Sequence, residues 1–286
     1  MDERAIGSVA AEANGARVAT VKRLTGGISN LTYLVRFEPP AESVVVRVFE
    51  DMERARAERS ALRVLEKGDV PAPRLLGHGR LADEGWFVVS SRVPGRPAAH
   101  PEDPGWIERL ATVLAAIHRV GRRSGRLADD PGPARTWIDE GPPYELGELA
   151  EVLWPAIERR RSQLGEGSRV LVHGDFHPGN VHWARGRVAG VIDWEMARWG
   201  AAAADVAYCF MDLCLAVGKQ RAERFRSVYR VAAEEPEGFD AWLLLAALRP
   251  LPDPSRWLPS YEGAGYTGLT ASVLRRRFSA LVRSLA

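Results

Sequence analysis

His-Gly-Asp-Phe-His-Pro-Gly-Asn, at residues 173–180, and Ile-Asp-Trp-Glu, at residues 192–195, are the stretches of the chain that decide its fold. Each places polar side chains beside short apolar runs that have the pattern of strands, where core packing gives no reason for them. Asp175 and Asn180 are five residues apart with Pro-Gly between them, which suits a loop that curls both side chains toward one point. A second carboxylate, Asp193, arrives at the end of the next hairpin strand.

One carboxylate, one Asn oxygen and a second carboxylate form the set that metal-assisted phosphoryl transfer uses. The first carboxylate accepts or orients the proton of the attacking hydroxyl, and the other two oxygen donors suit Mg²⁺. A zinc site is the alternative, because histidines also stand at positions 173, 177 and 182. Pro178 and Gly179 argue against zinc, since they break any helix that would bring His173 and His177 onto one face.

The two segments resemble the signature of the aminoglycoside phosphotransferase and choline kinase-like family, distant relatives of protein kinases. By that resemblance Asp175 is the catalytic base or orienting group, and Asn180 and Asp193 are the Mg²⁺ ligands. The implied fold is α+β, protein-kinase-like and two-lobed, with a β-rich N-terminal lobe and a mainly helical C-terminal lobe. Residues 1–92 are then the nucleotide-binding lobe, and residues 93–286 carry the catalytic loop and the substrate pocket.

The resemblance also covers the family's nucleotide-binding positions, which are matched here by Gly27, Ser29, Asn30, Arg47, Glu58, Ser90, Ser91 and Arg92. A Gly-Gly turn between two strands is more often only a hairpin, and no Walker loop is present because Gly-Lys-Ser/Thr does not follow. Arg47 lies in an apolar strand, where an unpaired charge would be costly, so it needs a carboxylate partner. Glu58 matches the family's helix position, with Glu53 and Glu66 as alternative partners.

This chain departs from the family pattern at two places. Arg47 replaces the commoner lysine, which keeps the charge but presents a planar fork. Alanines at 201–204 replace the usual Gly-Asp-Pro, although Asp205 stays in register. We expect Asp205 to hold the Asp175 loop by hydrogen bonds rather than to act in catalysis. Glu195 either assists the metal or substrate or lies at the surface.

Hydrophobic spacing predicts strands in the first ninety residues with a single helix at 51–67, then a mainly helical remainder interrupted by a short β island. The strands are predicted at 18–24, 31–37, 44–49, 86–89, 170–172, 181–183 and 188–192. The later helices are predicted at 106–119, 150–163, 203–217 and 241–248. A Gly- and Pro-rich stretch at 130–143 is expected to be a loop.

Composition excludes several functional classes. The 286 residues are 46% hydrophobic and 27% charged with a net charge of +2, an ordinary globular balance. No basic run is interleaved with aromatics, so nucleic acid is not an expected partner, and the arginines at 275–277 are expected to form the solvated face of a last helix. Cys209 and Cys214 are expected to be core thiols, and we expect no signal peptide, no membrane span and a cytoplasmic location.

These observations predict a Mg²⁺-dependent kinase, acting as a monomer or homodimer, that moves the γ-phosphoryl of ATP or GTP to a hydroxyl of a small molecule. The acceptor stays open between an aminoglycoside or other antibiotic and a metabolite. The alternatives are a catalytically inactive nucleotide-binding scaffold of the same fold and a metal-dependent hydrolase. Glu234, Glu235, Glu237 and Asp240 are expected to form a solvated loop, although they could attract a cationic acceptor, and an aromatic wall could come from Trp242, Trp257, Tyr261 and Tyr266.

Overall fold

The computed structural model describes residues 2–24, 30–81, 85–97, 104–121, 127–128, 144–164 and 169–285. Within these ranges the strands are β1 (Val18–Leu24), β2 (Leu31–Phe37), β3 (Val44–Phe49), β4 (Leu75–Leu81), β5 (Gly85–Ser91), β6 (Arg96–Pro97), β7 (Arg169–Val172), β8 (Val181–Ala184), β9 (Arg187–Val191) and β10 (Arg198–Ala201). The α-helices are α1 (Glu3–Asn14), α2 (Met52–Leu65), α3 (Trp106–His118), α4 (Glu148–Arg159), α5 (Ala202–Ala216), α6 (Lys219–Ala233), α7 (Phe239–Ala246), α8 (Leu258–Gly263) and α9 (Ala271–Leu285). The expected loop at 130–143 lies outside the described residues.

An antiparallel five-stranded sheet in the order β1-β2-β3-β5-β4 forms the N-terminal part. The strands predicted at 18–24, 31–37 and 44–49 are confirmed at both ends. The prediction of a single helix in this part is wrong, because α1 packs Ile6 and Ala10 against one face of the sheet. The Asp2 side chain caps the start of α1, and Gly15 ends it in a left-handed conformation at φ 68°.

The second helix, α2, covers the other face of the sheet. Asp51 caps it by accepting a hydrogen bond from the Glu53 N–H at 2.7 Å, and Leu62 and Leu65 are buried in the same core as Val88 of β5. Successive strand residues point to opposite faces, so Val46 and Val48 join the α1 core while Arg47 lies between them. Arg47 pairs in register with Val88 and therefore faces α2.

Helices dominate the C-terminal part, as predicted, and α5 runs through its core with almost every side chain buried. Cys209 and Cys214 on this helix are buried free thiols, as expected. Arg277 of α9 donates to the carbonyls of Leu215 and Ala216 at 2.7 and 2.8 Å, so the prediction of a fully solvated arginine face is wrong for this residue. The positive charge of Arg277 thus interacts favourably with the unpaired carbonyls and the negative dipole end of α5.

Two small sheets, β10-β7 and β6-β8-β9, lie beside the helices and present the loops of interest. Segment 173–180 joins β7 to β8, and Asp193 follows β9. The backbone N–H of Val191 donates to the Pro71 carbonyl at 2.8 Å, which ties this β island to the segment that follows α2. None of the described helices has the length and hydrophobicity that crossing a membrane requires.

Candidate active site

The β8–β9 hairpin brings the two signature segments together. Val181 pairs with Val191, and the backbone N–H of Ile192 donates to the Asn180 carbonyl at 2.9 Å. Asn180 is thus opposite Ile192, the residue that precedes Asp193, although Asn180 and Asp193 are thirteen positions apart in the sequence. The segments that the sequence singles out therefore meet at one end of the hairpin.

Asp175 is partly exposed and is held from two directions. Arg249 Nη2 donates to its Oδ1 at 3.0 Å. Asn180 Nδ2 donates to the Asp175 carbonyl at 2.9 Å and to Oδ2 at 3.3 Å, which leaves Asn180 Oδ1 as an available acceptor. Burial works to raise the pKa of Asp175, but its interactions with His177, Arg249 and His173 outweigh burial and hold that pKa below its ordinary value. Asp175 is therefore ionised at neutral pH.

The two loop histidines shape the loop. His173 is fully buried, with Nδ1 accepting from the Asp175 N–H at 3.2 Å and Nε2 donating to the Ile192 carbonyl at 2.8 Å. Burial lowers its pKa, in keeping with a neutral ring that accepts at one nitrogen and donates at the other. His177 Nδ1 accepts from the Gly179 N–H at 3.2 Å, and its Nε2 lies 3.9 Å from Asp175 Oδ2.

Asp205 holds the loop from behind, as the sequence predicts. Its Oδ2 accepts from the His173 N–H at 2.7 Å and its Oδ1 from the Gly174 N–H at 2.8 Å. His118 of α3 adds a third contact at 3.2 Å from its Nε2. Burial acts to raise the pKa of this fully buried carboxylate, yet its contacts with His118 and His173 bring the pKa below the ordinary value.

Arg47 is the centre of the second cluster. Its guanidinium donates to Glu58, to Asp193 Oδ1 at 2.7 Å and to Glu195 Oε2 at 2.6 Å. Glu58 is thus the partner on α2, whereas the alternative Glu53 pairs with Arg56 at the surface. Three carboxylates from distant parts of the chain meet on this one cation.

Glu195 is buried, which excludes the surface position that the sequence left open. Besides Arg47, it accepts hydrogen bonds from Asn30 Nδ2 and, at 3.1 Å, from Arg54 Nη1. Burial raises the pKa of Glu58 to about 7, against the lowering effect of Arg47. Burial likewise raises the pKa of Glu195. The cluster thus sets three carboxylates, those of Glu58, Asp193 and Glu195, against the two arginines Arg47 and Arg54.

The donors near the hairpin fit Mg²⁺. Asp193 adopts φ 69°, a left-handed conformation that is strained for a non-glycine residue and is common at functional sites. Together with Asn180 Oδ1 it offers oxygen ligands, and Mg²⁺ is usually held by one or two protein ligands plus substrate phosphates. Over the described ranges no group of three or more His, Cys, Asp or Glu side chains could hold a metal ion, so the zinc hypothesis finds no ligand set there.

The remaining predicted nucleotide contacts are spread along the N-terminal sheet. Gly27 and Ser29 lie outside the described residues. Ser90 and Ser91 end β5, where Ser90 is buried and the Ser91 hydroxyl accepts from the Arg74 N–H at 2.8 Å. Arg92 follows them as an exposed residue. The structure therefore brings Asn30, Arg47 and Glu58 to the signature carboxylates and leaves 90–92 at the strand end.

Sequence reasoning missed Arg249 and Tyr208, the neighbours of Asp175. Arg249 stacks over the Tyr208 ring with its guanidinium carbon 3.8 Å from the centroid, and Tyr208 lies close enough to Asp175 to help lower its pKa. Seventy-four residues separate Arg249 from Asp175. Arg249 lies in the turn that follows α7, where no local sequence pattern marks it. Arg54 was missed in the same way.

Part of the expected aromatic wall lies near Asp175. Tyr208 makes edge contacts with both His177 and Trp257, and Tyr261 donates to Asp212 Oδ1 at 2.8 Å. Tyr266 stacks edge-on against Tyr261, whereas Trp242 is buried among the helices. Of these rings, Tyr208 and Trp257 form an aromatic side next to His177 and Asp175.

The acidic loop is a separate feature. Glu234, Glu235, Glu237 and Asp240 are exposed, as expected. The first three line a cavity of about 290 Å³ together with His118 and Tyr229. Asp175 and Arg249 are not among the residues lining this cavity, so the acidic side chains do not line the site beside the candidate base.

Solved structures of aminoglycoside phosphotransferases are similar to this chain in fold. Crystal structures of aminoglycoside phosphotransferase APH(4)-Ia superpose with a TM-score of 0.72 at 20% identity over 100% of both chains. A thermostable mutant of that protein, in a ternary complex with AMP-PNP and hygromycin B, gives a TM-score of 0.70 at 20% identity over 98% of both chains. These likenesses show the α+β protein-kinase-like fold with its antiparallel N-terminal sheet.

Curated relatives match over shorter stretches. Viomycin phosphotransferase from Streptomyces vinaceus is 29% identical over 159 residues, 48% of this chain and 54% of the relative. Homoserine kinase from Gluconacetobacter diazotrophicus is 32% identical over 121 residues, 37% of this chain and 36% of the relative. A mouse acyl-CoA dehydrogenase family member 10 is 26% identical over 215 residues, 64% of this chain but only 19% of the relative. The matches thus cover at most about half of each relative.

A family model described as the phosphotransferase enzyme family, APH, matches residues 20–258, which include every residue of both clusters described above. The chain belongs to the phosphotransferase enzyme family.

Proposed function

We propose that this protein is a Mg²⁺-dependent kinase that transfers the γ-phosphoryl group of ATP or GTP to a hydroxyl of a small molecule. The observation that carries the proposal is the joint contact of Arg47 with Glu58 and Asp193. That contact links a cation on β3, a carboxylate on α2 and the carboxylate after β9, which is the arrangement that kinase chemistry uses to hold nucleotide phosphates and metal.

Each residue then has a defined role. Arg47 binds nucleotide phosphates and is positioned by Glu58, while Asn180 and Asp193 hold the metal. Bound Mg²⁺ supplies charge neutralisation on the phosphates. Asp175 orients the acceptor hydroxyl and takes its proton as the oxygen–phosphorus bond forms, and the nucleoside diphosphate leaves with the bridging oxygen. We assign residues 1–92 to the nucleotide-binding lobe, with contacts from Gly27, Ser29, Asn30 and 90–92, and residues 93–286 to the lobe that binds the acceptor.

The relatives suggest the range of acceptors. Their names refer to an aminoglycoside, to viomycin and to homoserine, which are hydroxylated small molecules of different charge. We propose an acceptor of this kind, either an antibiotic or a metabolite, for an enzyme that acts in the cytoplasm as a monomer or homodimer. A catalytically inactive nucleotide-binding scaffold is the second candidate, but the presence of Asp175, Asn180 and Asp193 together favours turnover.

Calorimetric titration of ATP and of GTP, with and without Mg²⁺, tests the proposal. Wild-type protein is expected to bind one of them in a Mg²⁺-dependent manner, and Asp193→Asn to lose that dependence because it removes a charged ligand. Asp240→Asn, at an exposed position on α7, is the matched control and should bind like wild type. Absence of binding to either nucleotide would overturn the kinase proposal. Binding without release of diphosphate in a broad acceptor screen would favour the scaffold.

A further inference from the structure

The neighbour of the candidate base is a cation. Arg249 Nη2 lies 3.0 Å from Asp175 Oδ1, and Nη1 lies 3.3 Å from the Gly174 carbonyl. A guanidinium has five N–H donors, so these two contacts leave three available. About a third of the Arg249 side chain is exposed, as is about a quarter of the Asp175 side chain. A molecule that reaches Asp175 from solvent therefore also reaches Arg249.

Arg249 is fixed rather than free to swing away. Its guanidinium stacks on Tyr208 at 3.8 Å from the ring centroid, and its backbone carbonyl accepts from Arg256 Nη2 at 3.0 Å. Stacking on a ring face leaves the edges of the planar fork available, and that fork matches the two oxygens of a carboxylate. A pre-positioned cation of this kind binds an anion with little loss of side-chain entropy.

Distance limits where the anion can sit in the acceptor. An acceptor hydroxyl must come within about 3 Å of an Asp175 oxygen for its proton to be transferred. Adding the 3.0 Å from Asp175 Oδ1 to Arg249 Nη2 puts the guanidinium within about 6 Å of that hydroxyl. A carboxylate a few bonds from the hydroxyl can span this gap.

Among the residues that the structure describes, the charged groups beside Arg249 do not form an acidic surface for a polycationic acceptor. Asp212 is buried on α5 with Oδ1 bonded to Tyr261, and burial raises its pKa, which favours its uncharged form. His173, His177 and Tyr208 are further titratable groups beside Asp175, and Arg256 adds a second cation beside Arg249. Glu234, Glu235 and Glu237 line the separate cavity described above.

We propose that Arg249 is a specificity-determining residue that selects an acceptor carrying a carboxylate a few bonds from the phosphorylated hydroxyl. This inference rests on the proposed kinase function and narrows its acceptor class. Binding of the carboxylate engages the unused donors of Arg249 while the hydroxyl takes its place at Asp175. A polycationic acceptor loses this interaction and meets a like charge instead.

Matched acceptor pairs that differ only in the acid group test the inference. The pairs are glycerate with glycerol, serine with serinol, and homoserine with 2-amino-1,4-butanediol, and hygromycin B serves as a cationic comparison. Diphosphate release is measured for wild type, Arg249→Gln, Arg249→Lys and Arg224→Gln. Arg224 is an exposed arginine paired with Glu108 and is the matched control. Nucleotide titration of every variant shows separately whether the nucleotide site is intact.

For wild type we expect kcat/KM to be at least about tenfold higher for the acid than for the neutral member of a productive pair, the effect of one charge-assisted hydrogen-bonded contact. Arg249→Gln should lose most of this preference for the acid, and Arg249→Lys should retain part of it. Arg224→Gln should show the same preference as wild type. If Arg249→Gln lowers kcat/KM equally for both members of a pair, Arg249 only positions Asp175. That result would overturn its role in acceptor selection.

The remaining outcomes also decide the matter. Efficient phosphorylation of hygromycin B or of neutral acceptors, at the same rate in wild type and Arg249→Gln, would overturn the inference while leaving the kinase proposal intact. If no acceptor is turned over, the same acids are titrated into the protein–AMP-PNP–Mg²⁺ complex. Binding of an acid that Arg249→Gln weakens supports the inference, and failure of all three acids to bind overturns it.

Discussion

Asp205 accepts a hydrogen bond from the backbone N–H of His173 at 2.7 Å, so a carboxylate on the central helix fixes the position of the loop that carries the candidate base. The same side chain accepts from the Gly174 N–H at 2.8 Å. Because these two amides are adjacent, one carboxylate sets the direction of the backbone immediately before Asp175. The interaction is local in space but joins residues 31 and 32 positions apart.

Replacing Asp205 with Asn should destabilise the protein by about 2–4 kcal/mol, because an amide cannot accept both N–H groups and leaves a buried donor unpaired. Chemical denaturation in urea at pH 7 measures this loss, with Asp240→Asn as the exposed control. Asp205→Asn should reduce the turnover rate by a larger factor than it reduces nucleotide affinity at the Arg47 cluster.

The loss of stability in Asp205→Asn should also depend on pH. The pKa of Asp205 is lowered in the folded protein, so its ionisation stabilises the native state above the unfolded pKa of about 3.9, and this contribution is lost as the pH falls through the folded pKa. The stability difference between wild type and Asp205→Asn should therefore shrink below pH 4. A difference that stays constant from pH 7 down to pH 3 would contradict the charged role.

Removing Arg47 should be more damaging than removing any one of its partners. Arg47→Ala leaves Glu58, Asp193 and Glu195 facing one another, and breaking a buried ion-pair cluster in this way costs about 3–5 kcal/mol. Arg47→Lys keeps the charge but cannot reach all three carboxylates with a planar fork, so it should recover part of the stability. Urea denaturation and nucleotide titration of both variants check this order. Equal stability of the Ala and Lys variants would refute it.

Asp175→Ala should lower kcat by about 10²–10⁴-fold, the usual contribution of a positioned base, and should leave the nucleotide KM nearly unchanged. The reason is spatial, because Asp175 contacts Arg249 and Asn180 and has no direct bond to Arg47 among the described contacts. Steady-state kinetics with a productive acceptor measure both parameters, and Glu237→Ala provides an exposed control. Undiminished turnover in Asp175→Ala would falsify its assignment as the base.

Gly174 is required by both conformation and space. It adopts φ 83°, and a Cβ there would stand 2.4 Å from the Met196 carbonyl oxygen. Gly186 has a similar φ of 69° but open space around it, so Gly186→Ala isolates the conformational strain of about 1–2 kcal/mol. Gly174→Ala should destabilise the protein by clearly more than that and reduce turnover, as measured by thermal unfolding and kinetics. Equal effects of the two substitutions would show that the contact with Met196 is unimportant.

The sequence allowed much of the site to be predicted because its signals are local. Asp175, Asn180 and Asp193 belong to two short segments joined by one hairpin, so their meeting follows from the strand pattern. Arg47 and Glu58 are a charge in an apolar strand and a carboxylate on the next helix. Glu195 was ambiguous because its burial depends on Arg47, Arg54 and Asn30, which lie more than 140 residues away. The position of Arg249 beside Asp175 depends on how the C-terminal helices pack, which no local pattern in the sequence reveals.

The missed secondary structure has equally specific causes. Strand β4 contains Gly77 and Gly79, residues that disfavour strands, and the second of them is needed because the Phe87 ring lies where its Cβ would be. Helix α1 buries only Ile6, Gly7 and Ala10, so its periodic hydrophobic signal is weak. Its cap residues, Asp2 and Gly15, were the local evidence that could have revealed it.

The shared contacts of Arg47 set a rule for recombining this enzyme with its relatives. The cation belongs to the early part of the chain, and two of its three carboxylates belong to the late part. A chimera joined between α2 and β7 inherits the two halves of this charge cluster from different parents. Such exchanges should succeed only when positions 30, 47, 54, 58, 193 and 195 are transferred as one block, whatever the overall similarity of the parents.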